Sequence, residues 1–292
     1  MQNNNAEQQE LGKQYNLISP TAWTVAFRRA FTDIPYSTDI FNELEKMRSE
    51  DEIQIPEELK TPAIACQFEA RYKLVNRLLG LSGISQVLEI ASGFSPRGLQ
   101  LTDDPKIVYV EIDLPLIMAQ KRKIVDAISS KKRENLHLID GDATSISSLK
   151  KATIYFDPEK PIAVINEGLL RYLNFDEKTI VARNVNTLLK QFGGAWITPD
   201  ITLPHVLNHE NQVAKNQTKL VEKLTGIDIN NNRFRDIEHA KTFFENLGFS
   251  IEDHSFMEVI DNLVSPIRLS QTRKEVESLI GDAHVFLMVL RT

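Results

Sequence analysis

Apolar positions recur at helical spacing through the first eighty residues. Trp23, Phe27 and Ala30/Phe31 share one face. Ile40/Phe41, Leu44 and Met47 share another, after the start signal Ser37-Thr38-Asp39. Pro56 and Pro62 interrupt the pattern before Phe68, Tyr72, Val75 and Leu79 resume it, and Gly80 is placed to end that helix. From Gln86 the texture changes to short apolar runs separated by helical stretches. Strands are predicted at Gln86–Ala91, Ile107–Ile112, Leu136–Ile139, Ile162–Ile165 and Ala195–Thr198. The clearest intervening helix carries Val181, Val185, Leu188 and Phe192 and stops at Gly193-Gly194. A later helix, with Ile237, Ala240, Phe244 and Leu247, stops at Gly248 and leads to strands at Phe249–Phe256 and His284–Leu290.

Alternation of strand and helix implies an α/β fold, with a mostly parallel sheet covered on both faces. Residues 1–12 read as a disordered lead-in, 13–84 as a helical cap, and 85–292 as the main domain. The polar, helix-prone stretch 204–236 follows the fifth strand. Ligands of open α/β sheets bind beyond the carboxyl ends of the strands, so this stretch is a candidate lid insertion.

Composition narrows the picture only a little. A formal charge of -6 argues against nucleic acid or an anionic membrane as the main partner. The polar start lacks the apolar stretch of a signal peptide, and the longest apolar run, Val285–Leu290, has the length of one buried strand. Cys66, the single cysteine, reads as a small buried residue. These features fit a cytoplasmic protein. No Cys/His/carboxylate cluster has metal-ligand spacing, so no metal is expected. Lys121-Arg122-Lys123 and Lys131-Lys132-Arg133 read as solvated charge.

Candidate chemistry lies at the predicted strand ends. Glu89 leads into the small-residue turn Ala91-Ser92-Gly93-Phe94-Ser95-Pro96-Arg97-Gly98, where Gly93 allows close backbone approach. An acid at Glu89 disfavours a pyrophosphate and favours a nucleoside bearing cationic groups. Glu111 and Asp113 end the next strand, and Asp113 lies twenty residues after Gly93, the usual distance for a ribose-binding acid. Asp113 is preferred over Glu111, though a solvated strand-end acid is an equal alternative for either alone. Asp142 and Ala143 follow the third strand, where they would meet an adenine, or form an ordinary Gly-Asp turn. Glu167 opens Glu167-Gly168-Leu169-Leu170-Arg171-Tyr172-Leu173 after the fourth.

Taken in order, these segments resemble the leucine carboxyl methyltransferase family, which includes bacterial polyketide-tailoring O-methyltransferases. Gly93 and Arg97, Glu111 and Asp113, Gly141-Asp142, and Glu167 through Leu173 carry the resemblance, which covers roughly residues 65 to 200. It implies a class I, Rossmann-like sheet of seven strands, mostly parallel, with the last strand antiparallel. It also implies S-adenosylmethionine as cofactor. Asp113 would then hold the ribose, Asp142 and Ala143 the adenine, and Glu167 the methionine amino group. Arg71 would meet the methionine carboxylate. Ala91 stands where the family commonly has glycine, and Ser95-Pro96 where it has Asp-Thr.

The expected reaction is O-methylation of a carboxylate on a small molecule or a chain terminus. A phenol O-methyltransferase and a non-catalytic S-adenosylmethionine-binding protein are the alternatives. A nicotinamide dehydrogenase ranks behind them, because the first turn lacks Gly-x-Gly-x-x-Gly. Tyr172, His205 and His209 are the candidates for a catalytic base.

Overall fold

The computed structural model describes residues 21–50, 55–129, 132–201, 219–223 and 225–291. Helix α1 covers 21–29 and is followed by α2 (Ser37–Glu50) and α3 (Ala65–Ser82). The sheet domain then runs β1 (Gln86–Ile90), α4 (Arg97–Leu101), β2 (Val108–Asp113), α5 (Pro115–Ile128), β3 (Leu136–Asp140), α6 (Ile146–Ala152), β4 (Ile162–Ile165), α7 (Phe175–Phe192) and β5 (Gly194–Thr198). After the segment 219–236 come α8 (Ile237–Glu245), β6 (Phe249–Ser255), α9 (Ser265–Arg268), α10 (Arg273–Ile280) and β7 (His284–Leu290).

The seven strands form one sheet in the order β3-β2-β1-β4-β5-β7-β6. Strands β1 to β5 pair in parallel, and β7 enters antiparallel between β5 and β6. All seven strands predicted from the apolar runs are present, with ends within one residue. Both faces are buried because successive side chains point to opposite sides. On one face Leu88, Val110, Val164 and Trp196 pack against Leu149 of α6, Val181, Val185 and Leu188 of α7, and Phe244 of α8. On the other, Val87, Tyr109, Ile165 and Val285 meet Ala70, Leu74, Val75 and Leu78 of α3 and Val276 and Ile280 of α10. Helix α3 is therefore one of the layers of the sheet. Helices α1 and α2 build a smaller third core with α5, through Trp23, Ile40, Leu44, Ile117 and Ile124.

One helix end differs from the sequence reading, and one helix start was left open by it. Helix α3 continues through Gly80 and ends at Gly83, which takes the left-handed conformation at φ 66 and donates its N–H to the Gly80 carbonyl. Nothing in the local chain forces the turn at Gly80, whereas Ser82 bonds back to Leu79 and extends the last turn. Helix α7 starts at a capping box that the apolar spacing did not reveal: the Asn174 side chain accepts from the Glu177 N–H, and Glu177 accepts from the Asn174 N–H. Among the described residues, no helix is long and apolar enough to cross a membrane.

Candidate functional site

The residues that follow β1 through β5 line one cavity of about 760 Å³. Helix α1, the start of α3, and Val221, Thr225, Ile227 and Arg233 form its other walls. The cavity thus lies beyond the carboxyl ends of the parallel strands, where the loops are free to vary over a rigid sheet.

The turn after β1 sets its floor. Gly93 has φ +51, and a Cβ added there would meet no atom within 4 Å, so the backbone lies open to the cavity. Ala91 also takes a positive φ, 51, which an alanine adopts only at a cost. The Gly93 N–H donates to Asp113 Oδ2 at 2.6 Å, and the Leu114 N–H donates to Oδ1 at 2.7 Å. These bonds fix the carboxylate at the cavity edge. Burial raises the Asp113 pKa from its ordinary value, against the opposing pull of those two N–H groups.

Glu89 and Glu111 sit differently from the sequence expectation. Neither lines the cavity; both are buried beneath it. Glu89 accepts from Arg97 Nη1 at 2.5 Å and from the Tyr109 hydroxyl at 2.9 Å. Glu111 forms a buried ion pair with Lys121. Burial pushes the Glu111 carboxyl upward, with Lys121 pulling the other way. The reason is strand alternation: Glu111 is two residues before Asp113, hence on the same side but one step deeper in the sheet. The close approach of α4 seals it in, since a Cβ on Gly98 would lie 2.2 Å from Glu111 Oε1. Lys121, read in sequence as solvated charge, is accordingly 2% exposed; a buried carboxylate requires a partner, and Lys121 supplies it.

Glu167, at the end of β4, is the electrostatic centre of the wall. Its Oε2 accepts from Arg29 Nη2 at 2.7 Å and from Arg71 Nε at 3.0 Å, and its Oε1 pairs with Arg97 Nη2. Burial opposes the charge on Glu167, but Arg97, Arg29 and Arg71 outweigh it and bring the carboxyl down to about 2. Tyr72 lies under two of these guanidinium groups, 4.5 Å from Arg97 and 5.4 Å from Arg29. Arg71 stacks over Phe68 at 4.9 Å.

The loop that begins at Glu167 is held from β5. Asp200 accepts from the N–H groups of Gly168 at 2.6 Å, Leu169 at 2.6 Å and Leu170 at 3.1 Å, and from Asn166 Nδ2 at 2.7 Å. Gly168 supplies the positive φ, 87, that this turn requires. On the third strand end, Asp142 Oδ1 accepts from both the N–H and the hydroxyl of Thr144 at 2.8 Å. Ala143 is buried against the same cavity.

The structure therefore brings Arg71, Gly93, Asp113, Asp142, Ala143 and Glu167 to one cavity, with Tyr172 on its wall. His205 and His209 lie outside the described residues. Sequence reasoning missed Arg28, Arg29, Arg171 and Arg233, which also line the cavity, and Asp200, which shapes it. The Arg28-Arg29 pair interrupts the apolar helix Trp23–Phe31, a signal that was available but ambiguous. For Asp200, only a Pro-Asp pair directly after a strand was visible.

A parallel sheet with one antiparallel strand slotted beside its edge, and acids on consecutive strand ends facing one cavity, defines the Rossmann-like methyltransferase fold. A DUF574-family protein from Streptomyces avermitilis shares it at a TM-score of 0.57 and 14% identity, over 92% of this chain and 97% of that one. The methyltransferase domain of a bacterial CtHen1 does so at a TM-score of 0.50 and 10% identity, over 76% of this chain and 98% of that one. The leucine carboxyl methyltransferase profile matches residues 23–186, more than half of the sequence, and the chain belongs to that family. A Mycobacterium bovis protein provisionally named an S-adenosyl-L-methionine-dependent methyltransferase is 33% identical over 94 residues, 32% of this chain and 26% of its own length. A Mycobacteroides abscessus protein with the same name is 28% identical over 107 residues, 37% of this chain and 35% of its own length. The matched stretch thus spans about a quarter to a third of these relatives.

Proposed function

We propose that this chain is an S-adenosylmethionine-dependent O-methyltransferase whose acceptor is a carboxylate, on a small molecule or a chain terminus. The observation that carries the reading is the order of groups around the cavity: Glu167 among its arginines, Asp113 fixed by Gly93, and Asp142 with Ala143, on successive strand ends. This order matches the length and charge sequence of the cofactor from methionine to adenine. Arg29 and Arg71 would take the methionine carboxylate, since three guanidinium groups face two carboxylates, Glu167 and Glu89, and a further anion completes the balance. Glu167 would face the ammonium group. Asp113, with each oxygen already oriented by one N–H, would accept from the ribose hydroxyls. Asp142 and the Ala143 N–H would meet the adenine edge.

When bound, the cofactor supplies an activated methyl group: the acceptor oxygen–carbon bond forms as the carbon–sulfur bond breaks, and sulfur keeps the electron pair. The chain contributes orientation, worth roughly 7–11 kcal/mol where donor and acceptor are aligned. It also excludes water; of the candidate lid 204–236, residues 204–218 lie outside the described residues, and Val221, Thr225, Ile227 and Arg233 stand on the cavity wall. A carboxylate needs no base at neutral pH, whereas a phenol with a pKa near 10 does. This agrees with a wall richer in arginines than in groups that titrate near neutrality.

Calorimetry with S-adenosylhomocysteine in the presence of chelator, followed by a screen of acids and phenols for S-adenosylhomocysteine release, tests the reading. Binding without metal and turnover on acids support it. Binding of a dinucleotide in place of S-adenosylhomocysteine, or turnover on phenols alone, overturns it.

A further inference from the structure

A second group of arginines stands in the same cavity and, unlike the first, forms no ion pair with a carboxylate among the described residues. Arg28 comes from α1, Arg171 from the turn after β4, and Arg233 from the segment before α8. Arg28 is 4% exposed; its Nε donates to the Thr61 carbonyl at 3.3 Å, while its buried Nη2 has no partner among the described residues. The buried Nε of Arg171, and the buried Nε and Nη2 of Arg233, are likewise without one. Burial and then the charges of Arg171 and Arg71 pull the Arg28 pKa down to about 9, and burial followed by Arg171 lowers that of Arg233. Arg171 is therefore close enough to both to repel them.

Glu222 and Asp228 pull against that lowering at Arg233, but neither makes an ion pair with it among the described residues, and both accept from asparagines. Glu222 accepts from the Asn230 N–H at 3.2 Å and its Nδ2 at 2.8 Å, and Asp228 from the Asn231 N–H at 3.0 Å and its Nδ2 at 2.6 Å. Buried guanidinium groups with unsatisfied donors are costly, and like charges held together cost more. An anion entering the cavity would balance the positive charge that these three residues bring to its wall. The cofactor is not that anion, because its one carboxylate is matched to Arg29 and Arg71 and it also carries two positive charges.

We infer that Arg28, Arg171 and Arg233 form a subsite for a second anionic group on the acceptor, so that the acceptor carries at least two negative charges. This rests on the carboxyl-methyltransferase reading above. The anion they hold is distinct from the one that is methylated. A guanidinium fork occupies both oxygens of a carboxylate and draws off the electron density that attack on a methyl group requires. The held group, a carboxylate or phosphate, stays unmodified and orients the reacting carboxylate.

Calorimetry on the protein saturated with S-adenosylhomocysteine tests this with matched probes: glutarate against monomethyl glutarate, isophthalate against monomethyl isophthalate, and 3-phosphonopropionate against propionate. In at least one pair the more highly charged member binds ten times tighter or more, and the pair that does so separates carboxylate from phosphate as the second anion. In the Arg171→Gln/Arg233→Gln double variant that preference falls below threefold, while the S-adenosylhomocysteine Kd stays within twofold, which shows that the variant is folded. No preference in any pair, or a preference that survives in the variant, overturns the inference. Failure of S-adenosylhomocysteine to bind the wild type would instead overturn the methyltransferase reading itself.

Discussion

Replacing Glu167 with glutamine keeps the side-chain shape and removes the charge that three arginines share. The carboxyl pKa falls from 4.5 to about 2 in the folded protein. At 1.36 kcal/mol per pKa unit, that depression corresponds to roughly 3 kcal/mol of stability. Because the folded pKa is depressed, the contribution is fully present above the unfolded value of 4.5 and declines as pH falls toward 2. At pH 3 about half of it remains. A second route gives a similar size: removing one member of a buried charged cluster costs about 3–5 kcal/mol, because the remaining charges lose their partner. Urea unfolding of the cofactor-free wild type and Glu167→Gln at pH 7, 5 and 3 measures the difference directly. The expected gap is about 3 kcal/mol at pH 7 and 5, shrinking by about half at pH 3. A gap below about 1 kcal/mol at pH 7, or one that does not shrink with acid, would refute the assignment of Glu167 as the neutralising centre.

Ala91→Gly should stabilise the protein by about 0.5–1 kcal/mol, since it relieves a left-handed alanine costing about 1–2 kcal/mol but loosens the unfolded chain; denaturant midpoints measure it, and a loss of stability sinks the strain argument. Asp113→Asn should weaken S-adenosylhomocysteine binding by about 1.5–3 kcal/mol in calorimetry. Glu111→Gln should leave that affinity within about threefold yet lower stability by about 3 kcal/mol or more, by stranding Lys121; reversal of the two effects would put the ribose acid at the wrong position. With a carboxylate acceptor, turnover should be nearly flat from about pH 6 to 8, because the acceptor ionises near pH 4; a rate that climbs across that window would indicate a hydroxyl acceptor with base catalysis.

The sheet was legible because strand formation here depends on local information. Val87-Leu88-Glu89-Ile90 or Ile162-Ala163-Val164-Ile165 can only be buried on both faces, and turn residues bound each run. The antiparallel entry of β7 is different. His284–Leu290 has the composition of any buried strand, and nothing in it encodes direction. Its orientation came from the family resemblance. The end of α3 was misplaced because Gly80 and Gly83 offer the same local freedom, and only backbone conformation distinguishes them.

For the site, the limit lay in telling a charge at a strand end from a charge one step below it. Glu111 and Asp113 share a side of the strand, and the sequence favoured Asp113 on spacing alone. The depth of Glu111 is set by α4 and Lys121, which lie outside its own strand. The arginines were harder still. Arg28 and Arg29, Arg71 and Arg97, and Arg171 and Arg233 come from separate segments, and each alone resembles a surface cation on a helix or turn. Only their convergence gives them meaning. Glu167 and Glu89 answer Arg29, Arg71 and Arg97, whereas no described carboxylate pairs with Arg28, Arg171 or Arg233. A stable fold has reason to satisfy the first group internally, since it must stand whether or not ligand is present. The second group, without an ion pair among the described residues, has a functional rationale if its anion arrives from outside, and under the inference above that anion belongs to the acceptor.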